Sequence, residues 1–503
     1  MLQWLSWAQY VLLLLVVVVI GLFLAYCAYI HYMHLKYDHI PGPPRDSFLW
    51  GHVSSINKAG ENYKVIHDLF LQWAEEYGSI FRMNVLHRVM IYSTSPESIK
   101  EIMMSPKYLK DPYTYNLLFS LFGKRFMGKG LLTDTDHNHW YKQRRIMDPA
   151  FSHTYLKEMM NVFNDTAELL MEQLEEKADG KQKVSMHSVI NCVTLDVITK
   201  VAFGLDLGLV EGNQTAFPHA ISTVLKGMIQ YINNPYMQYM PWHRRFVKEV
   251  QDSADLLRKT GKECIRKRKQ AMLNGEELPR DILTKILVIA EEEKGFDEEM
   301  MLDNFITFFI AGQETTANQL SFTVMELARQ PEITQRLREE VDEVIGFKRN
   351  VSYEDLSSLT YMTQVLKESL RFYPPGPGTG RYLAEDTVID GIKIPGGISI
   401  TFNTYIMGRM AKFFKDPFKF DPERFNPEAE KPYYCYFPFA LGPRSCLGQV
   451  FSQMEAKVVL SKLLQRFEFT LDPGQSFDIM DTGTLRPRDG VVCTLKSRTV
   501  SQK

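Results

Sequence analysis

The chain has 503 residues, of which 45% are hydrophobic, 23% charged and 12% aromatic, a balance that supplies a large buried core and argues against wholesale disorder. A net charge of -2 leaves no positive excess pointing to nucleic acid. The six cysteines lie far apart, without paired zinc spacing and without a small chain's need for disulfide staples.

No Asp, Glu, Lys or Arg occurs in residues 1–35, and the apolar run spans residues 10–30. About 20 apolar residues in a helix cross the hydrocarbon of a bilayer. Trp4, Trp7 and Tyr10 precede the run and Tyr26, Tyr29 and Tyr32 close it, as suits the two membrane interfaces. A cleaved signal peptide is the alternative, but the run is too long and lacks a basic start. Lys36 and Arg45 follow, which places the carboxyl side in the cytosol. Residues 1–35 are expected to be a single-pass anchor. Residues 36–45, with Pro41-Gly42-Pro43-Pro44, are expected to be a stiff proline-rich hinge.

Beyond residue 45 helical patterns dominate, with short β signals at residues 79–93 and 387–402. The expectation for residues 46–503 is one domain, mainly α with a small β-sheet region. Residues 217–246, with Tyr236, Tyr239 and Trp242, suit membrane contact, a substrate entrance or an ordinary core helix and loop. His137 and His139 are expected at the surface. The run Cys264-Ile265-Arg266-Lys267-Arg268-Lys269 is expected to be a solvated helix face. Residues 300–329 contain no proline and read as one helix about 45 Å long. Phe308, Ala311, Gly312 and Thr315 fall at i, i+3, i+4 and i+7 and so share one face. Glu368 and Arg371 share a face at i, i+3, and Pro374-Pro375 then stops that helix.

The most informative stretch is Phe439-Ala440-Leu441-Gly442-Pro443-Arg444-Ser445-Cys446-Leu447-Gly448. Such a loop can point one thiolate at a metal. Gly442 and Gly448 lack Cβ, which lets the backbone turn tightly and approach a flat cofactor. Phe439 can pack on the face of that cofactor, and Arg444 can neutralise a cofactor carboxylate. A lone cysteine is ordinarily a small buried hydrophobe, but the ten-residue pattern outweighs that reading. The stretch resembles the haem-binding signature of the cytochrome P-450 superfamily, F-x-x-G-x-R-x-C-x-G, at every fixed position. The resemblance runs in order over nearly the whole chain.

It implies the cytochrome P-450 fold behind one N-terminal transmembrane helix, with residues 46–503 as a haem-thiolate monooxygenase domain. The implied cofactor is haem b (iron protoporphyrin IX) with the Cys446 thiolate as axial ligand, which favours cleavage of O₂. Ala311-Gly312-Gln313-Glu314-Thr315-Thr316 resembles the family's A-G-x-[DE]-T-[TS]. Ala311 and Gly312 would leave room for O₂, Thr315 would offer a hydroxyl, and Glu314 would relay protons through water. Trp140-Tyr141-Lys142-Gln143-Arg144 matches W-x-x-x-R, so Trp140, Arg144 and Arg381 are expected on a haem propionate. Glu368, Arg371 and the Arg424 of Pro422-Glu423-Arg424-Phe425 are expected to form a buried ion network.

The chain after Cys446 is too short for a flavin or iron–sulfur domain. Electrons are therefore expected from NADPH by way of NADPH–cytochrome P-450 reductase, docking on a basic face that includes Lys142 and Arg145. Cytochrome b5 stays open as a second donor. The implied setting is the endoplasmic reticulum membrane and its lipid, with the catalytic domain on the cytosolic face. Residues 303–312, 322–331 and 405–410 resemble the cholesterol 24-hydroxylases, which implies a lipophilic substrate and hydroxylation of a sterol side chain. Gly376-Pro377-Gly378-Thr379-Gly380 is expected to line the pocket. The alternatives are a fatty-acid, retinoid or xenobiotic hydroxylase and, in another class, a haem-containing membrane protein that binds sterol without turnover.

Overall fold

The computed structural model describes residues 2–62, 65–293, 297–430 and 433–498. The charge-free amino-terminal run folds as the helix Leu2–Tyr37, about 54 Å long at 1.5 Å per residue. Its segment Gln9–Tyr37 is long and apolar enough to cross a membrane. Residues 11–24 are exposed on every side, as a lipid-facing helix requires. The side chain of Trp4 lies outside the described residues.

The carboxyl end of this helix behaves differently. Ile30, His34 and Tyr37 are buried, the Tyr26 hydroxyl meets His87 Nδ1 at 2.9 Å, and Lys36 and Tyr37 donate to the Gly396 carbonyl at 3.2 and 3.3 Å. The helix thus runs past the expected anchor limit at residue 35 and is fastened to the body. The proline segment after it packs as well. Arg82 N donates to the Pro41 carbonyl at 2.8 Å, and His52 Nε2 lies 3.0 Å from the Pro43 carbonyl. A Cβ at Gly42 would stand 2.6 Å from the Arg82 carbonyl, so only glycine permits this approach.

Strands Ile80–Val85, Arg88–Ser93, Ile398–Asn403 and Gly378–Leu383 form one sheet in that order. Thr387–Ile389 and Ile392–Ile394 pair as a separate hairpin. The expected β regions are therefore present. Missed by the sequence reading were the strand Gly378–Leu383 and a second sheet, Phe467–Leu471, Val492–Ser497 and Asp179–Ser185. Residues about 300 positions apart meet in that second sheet, and local periodicity cannot announce such a pairing.

The helix Glu298–Arg329 runs through the core, with Asp297 capping its first turn. It packs on Met186–Phe203, where the Phe203 ring meets Phe305 at 3.8 Å and stacks on Phe309 at 5.6 Å. Its amino end is pinned by polar contacts. Asp303 accepts from Arg125 at 2.6 Å, Arg258 at 2.9 Å and Lys129 N at 2.8 Å. Asn304 donates to Gln143 at 2.6 Å, which ties this helix to His137–Met147. In the same region His139 Nδ1 contacts the Asp134 carboxylate.

The basic run departs from expectation. Arg266 and Lys267 are exposed, but Ile265 and Arg268 are buried. Arg268 grips Asp281, with a 2.7 Å bond from Nη2. A charge run hides one inward cation because a helix carries part of any run to its buried face.

Candidate active site

One largely apolar cavity of about 330 Å³ lies beneath the middle of helix Glu298–Arg329. Ala311, Gly312, Thr315 and Thr316 line one wall, and Phe439, Ala440, Arg444, Cys446 and Gly448 line the opposite one. Phe308 also lines it, so all four residues of the predicted helical face reach the same space. Leu131, Leu132, Phe151 and Leu370 add apolar surface, and the Gly-rich turn contributes Gly376, Gly378 and Thr379, as expected.

The loop before helix Gln449–Arg466 presents Cys446. Cys446 N donates to the Phe439 carbonyl at 2.8 Å and Ser445 N to the Gly442 carbonyl at 3.0 Å, which closes the loop around the thiol. Burial pushes the Cys446 thiol up, while the Gly448 backbone and Arg144 act against it. A bound metal would outweigh burial, because a coordinating thiol is deprotonated outright.

The two glycines of the loop have separate duties. Gly448 borders the cavity, and a Cβ there would meet nothing nearer than Cys446 Sγ at 4.0 Å. Gly442 does turn tightly, at φ +68, but it is absent from the cavity wall. A Cβ at Gly442 would lie 2.2 Å from the Met103 carbonyl oxygen. The expectation that Gly442 admits a flat cofactor is corrected: it admits the backbone at the end of helix Pro96–Met103. Gly442→Ala should therefore cost roughly 3 kcal/mol or more, from a left-handed φ plus a backbone clash. Gly448→Ala should leave stability near wild type. Thermal unfolding of the two variants checks the contrast.

Gly312 also departs from its expected duty. It borders the cavity, but a Cβ there would meet Ile198 at 2.8 Å, so its small size serves the approach of helix Met186–Phe203. Ala311 is the small residue left facing the cavity. Thr315 Oγ1 donates to the Ala311 carbonyl at 2.8 Å, so its lone pairs, rather than its proton, are free for the cavity. Glu314 is buried but does not line the cavity. Burial raises its carboxyl to about 7, with the Thr484 hydroxyl and Arg486 opposing a larger rise.

A rim of buried cations is the second feature. Arg381 and Lys110 lie side by side because their backbones form an antiparallel bridge. The Arg444 guanidinium stacks on the Trp140 ring at 4.0 Å. Lys110 donates to the Tyr115 hydroxyl at 2.9 Å. Burial raises the Tyr115 phenol, but Lys110 outweighs it and brings the group down to about 8. Burial holds Arg444 down to about 10, against the pull of Asp134.

Among the described residues no carboxylate forms an ion pair with Lys110, Arg381 or Arg444, and both terminal nitrogens of Arg444 and Nη2 of Arg381 have no partner. Buried charges demand compensation, so this rim fits a ligand that brings its own carboxylates. Arg144 is different. It donates to the Ser445 carbonyl at 2.7 Å and to Asp148 at 2.5 Å, so it fastens the cysteine loop, and it also lines the cavity with donors to spare for a ligand. Lys110 and Tyr115 were missed in the sequence, where a lone lysine in a loop carries no signal of burial.

The ion network lies where the sequence placed it. Arg371 meets both oxygens of Glu368 at 2.7 Å, and Arg424 Nε reaches Glu368 at 3.4 Å.

The pattern of the Cytochrome P450 family matches residues 41–495. Cytochrome P450 4d2 of Drosophila melanogaster is 30% identical over 484 residues, covering 91% of this chain and 94% of that protein. Cytochrome P450 4B1 of Rattus norvegicus is 30% identical over 482 residues, covering 91% and 90%. Cytochrome P450 3A41 of Mus musculus is 27% identical over 484 residues, covering 92% of each chain. The chain belongs to the cytochrome P450 family. That membership implies haem b held by a cysteine thiolate, O₂ as co-substrate and electrons supplied by a reductase. The cavity fits such a group, with a cysteine on one wall, apolar walls for a macrocycle and unpaired cations for its propionates. The relatives do not bear out the more particular likeness to cholesterol 24-hydroxylases.

Proposed function

We propose that this chain is a monooxygenase acting on a lipophilic substrate, with Cys446 as the axial ligand of the haem iron. The observation that carries this reading is the pairing of one cysteine with a rim of buried cations around one apolar cavity. Arg444, Arg381 and Lys110 would hold the propionates, and Trp140 would keep Arg444 in place. Phe439 would pack on the macrocycle, and Glu368, Arg371 and Arg424 would brace the core nearby. When bound, the haem supplies activation of O₂, one atom of which goes to the substrate and the other to water, and thiolate ligation favours the O–O cleavage.

The remaining steps belong to side chains. Apolar walls exclude bulk water from the reacting carbon. Thr315 accepts a hydrogen bond from a cavity water through its free lone pairs and so positions that water as the proton donor. Glu314, with its carboxyl near 7, can both give and take protons at neutral pH. Thr315→Ala should keep haem content normal but divert reducing equivalents to hydrogen peroxide. NADPH consumption per product should rise about tenfold or more, because a lost proton-transfer group slows productive turnover by roughly 10²–10⁴-fold.

The particular reaction we propose is hydroxylation of a sterol side chain. Its support is the likeness in residues 303–312, 322–331 and 405–410 together with the apolar lining. Cholesterol and a long-chain fatty acid, offered in parallel to enzyme reconstituted with reductase, test this by mass spectrometry. A side-chain oxysterol supports it, and a hydroxylated fatty acid without oxysterol assigns the rival substrate class. The proposed setting is the endoplasmic reticulum membrane, with Gln9–Tyr37 as the anchor. Exposed Tyr236, Tyr239 and Trp242 would rest in the interface. Exposed Lys142 and Arg145 would meet the reductase or cytochrome b5, although Arg145 already contacts Glu293.

A further inference from the structure

We propose that the hydroxyl groups of Tyr115 and Thr379, flanked by Lys110 and Arg381, form one hydrogen-bonding unit that presents a single free O–H to a haem propionate. Tyr115 lies on the short helix Pro112–Leu117 and Thr379 on the strand Gly378–Leu383. Neither belongs to a haem motif of the sequence. The inference rests on the reading of the cavity as a haem site, and it adds a neutral donor to a rim of cations.

Both side chains line the cavity. The Tyr115 oxygen accepts from Lys110 Nζ at 2.9 Å, and Thr379 Oγ1 accepts from Arg381 Nη1 at 3.0 Å. The two hydroxyl oxygens stand 3.4 Å apart. The four side chains therefore make one row, in the order Lys110, Tyr115, Thr379, Arg381. The backbone builds that row: Lys110 and Arg381 form an antiparallel bridge, and Tyr382 N donates to the Leu109 carbonyl at 2.9 Å. Asp111, adjacent to Lys110 in sequence, is engaged elsewhere. It accepts from Ser399 Oγ at 2.6 Å and from Tyr113 N and Thr114 N at 3.2 and 3.0 Å.

Counting protons gives the rest. Ammonium and guanidinium groups only donate, so each hydroxyl oxygen receives one hydrogen bond from its cation. Each hydroxyl keeps its own proton, and a single contact joins the two. If Tyr115 donates to Thr379, the Thr379 proton is left over; if Thr379 donates to Tyr115, the Tyr115 proton is left over. In either arrangement one O–H remains, and among the described residues no other acceptor takes it. The arrangements interconvert by rotation of the hydroxyls, and no proton leaves its oxygen. A carboxylate is a strong acceptor for such a proton. Burial alone would raise the Tyr115 phenol, yet Lys110, the Thr379 hydroxyl and Arg381 together bring it down to about 8, which agrees with an oxygen surrounded by donors.

The pair has a property that neither residue has alone. Removing one hydroxyl frees the proton of the other, so the hydrogen bond to the propionate survives either single substitution. Removing both abolishes it. The two positions therefore compensate for each other, a pattern that lost packing at two separate sites does not produce.

The test is the rate of haem transfer from the full-length holoenzyme to excess apomyoglobin, in Tyr115→Phe, Thr379→Val and the double variant. Each single variant should stay within about twofold of the wild-type rate. The double variant should release haem about tenfold faster or more, since a hydrogen bond to a charged group is lost. Tyr115→Phe combined with Thr379→Ser should match Tyr115→Phe alone, because the serine keeps the hydroxyl while changing the shape. A double-variant rate no greater than the product of the two single effects would refute the inference. So would weaker substrate binding with unchanged haem release, which would assign the free O–H to the substrate. A wild-type reduced, CO-bound Soret band without the thiolate red shift would overturn the haem-thiolate reading instead, so the two failures are distinct.

Discussion

Cys446→Ser is expected to abolish product formation while leaving the helical content intact. Serine has nearly the shape of cysteine, and the loop bonds that close around position 446 come from backbone groups of Cys446 and Ser445. What changes is the ligand. A thiolate forms readily at a metal, whereas an aliphatic hydroxyl is a far weaker acid, so electron donation to the iron is lost. The buried cations and apolar walls remain, and the variant should keep part of its haem. Product per haem in the reconstituted system, measured beside circular dichroism, checks this. Turnover persisting at about a tenth of wild type or more, a loss of roughly tenfold or less, would remove Cys446 from the reaction.

Arg371→Leu should be the most destabilising of the core substitutions, by roughly 3–5 kcal/mol. The side chains of Arg371 and Glu368 are fully buried, so the substitution leaves a carboxylate without its two-pronged partner. It also strips donors from three carbonyls, those of Gly408, Pro417 and Lys419. For this reason Arg371→Leu combined with Glu368→Leu should recover only part of the loss, since the Gly408 and Pro417 carbonyls lose their Arg371 donor in both variants. Arg371→Lys should also fall short, because an ammonium cannot reproduce the planar fork. A loss of this size is a large share of the net stability of a typical domain, about 5–15 kcal/mol. Denaturant unfolding of the three variants measures it, and a single variant with wild-type stability would show that the network carries no load.

Where a motif is written in local spacing, the sequence was enough. Phe308, Ala311, Gly312 and Thr315 reach one cavity because helical period alone puts them on one face. Glu368 and Arg371 pair for the same reason. What stayed hidden depends on chain segments far apart meeting in space. Lys110 gains its meaning from the backbone bridge to Arg381. Gly442 looked like a cofactor glycine because its true neighbour, the Met103 carbonyl, is distant in sequence. Arg144 matched a motif position, and its bond to the Ser445 carbonyl, 301 positions away, is a contact that local spacing does not announce. Substrate preference is the least legible, since the segments that suggest a sterol lie mostly on packed helices.

The central claim is that a sulfur atom from Cys446 ligates iron in this cavity. The most direct measurement is the absorption spectrum of the purified wild-type protein, reduced and saturated with carbon monoxide. A strongly red-shifted Soret band, absent from Cys446→Ser, is the predicted result. A Soret band at the position of histidine-ligated or unligated haem in the intact wild-type protein would contradict it.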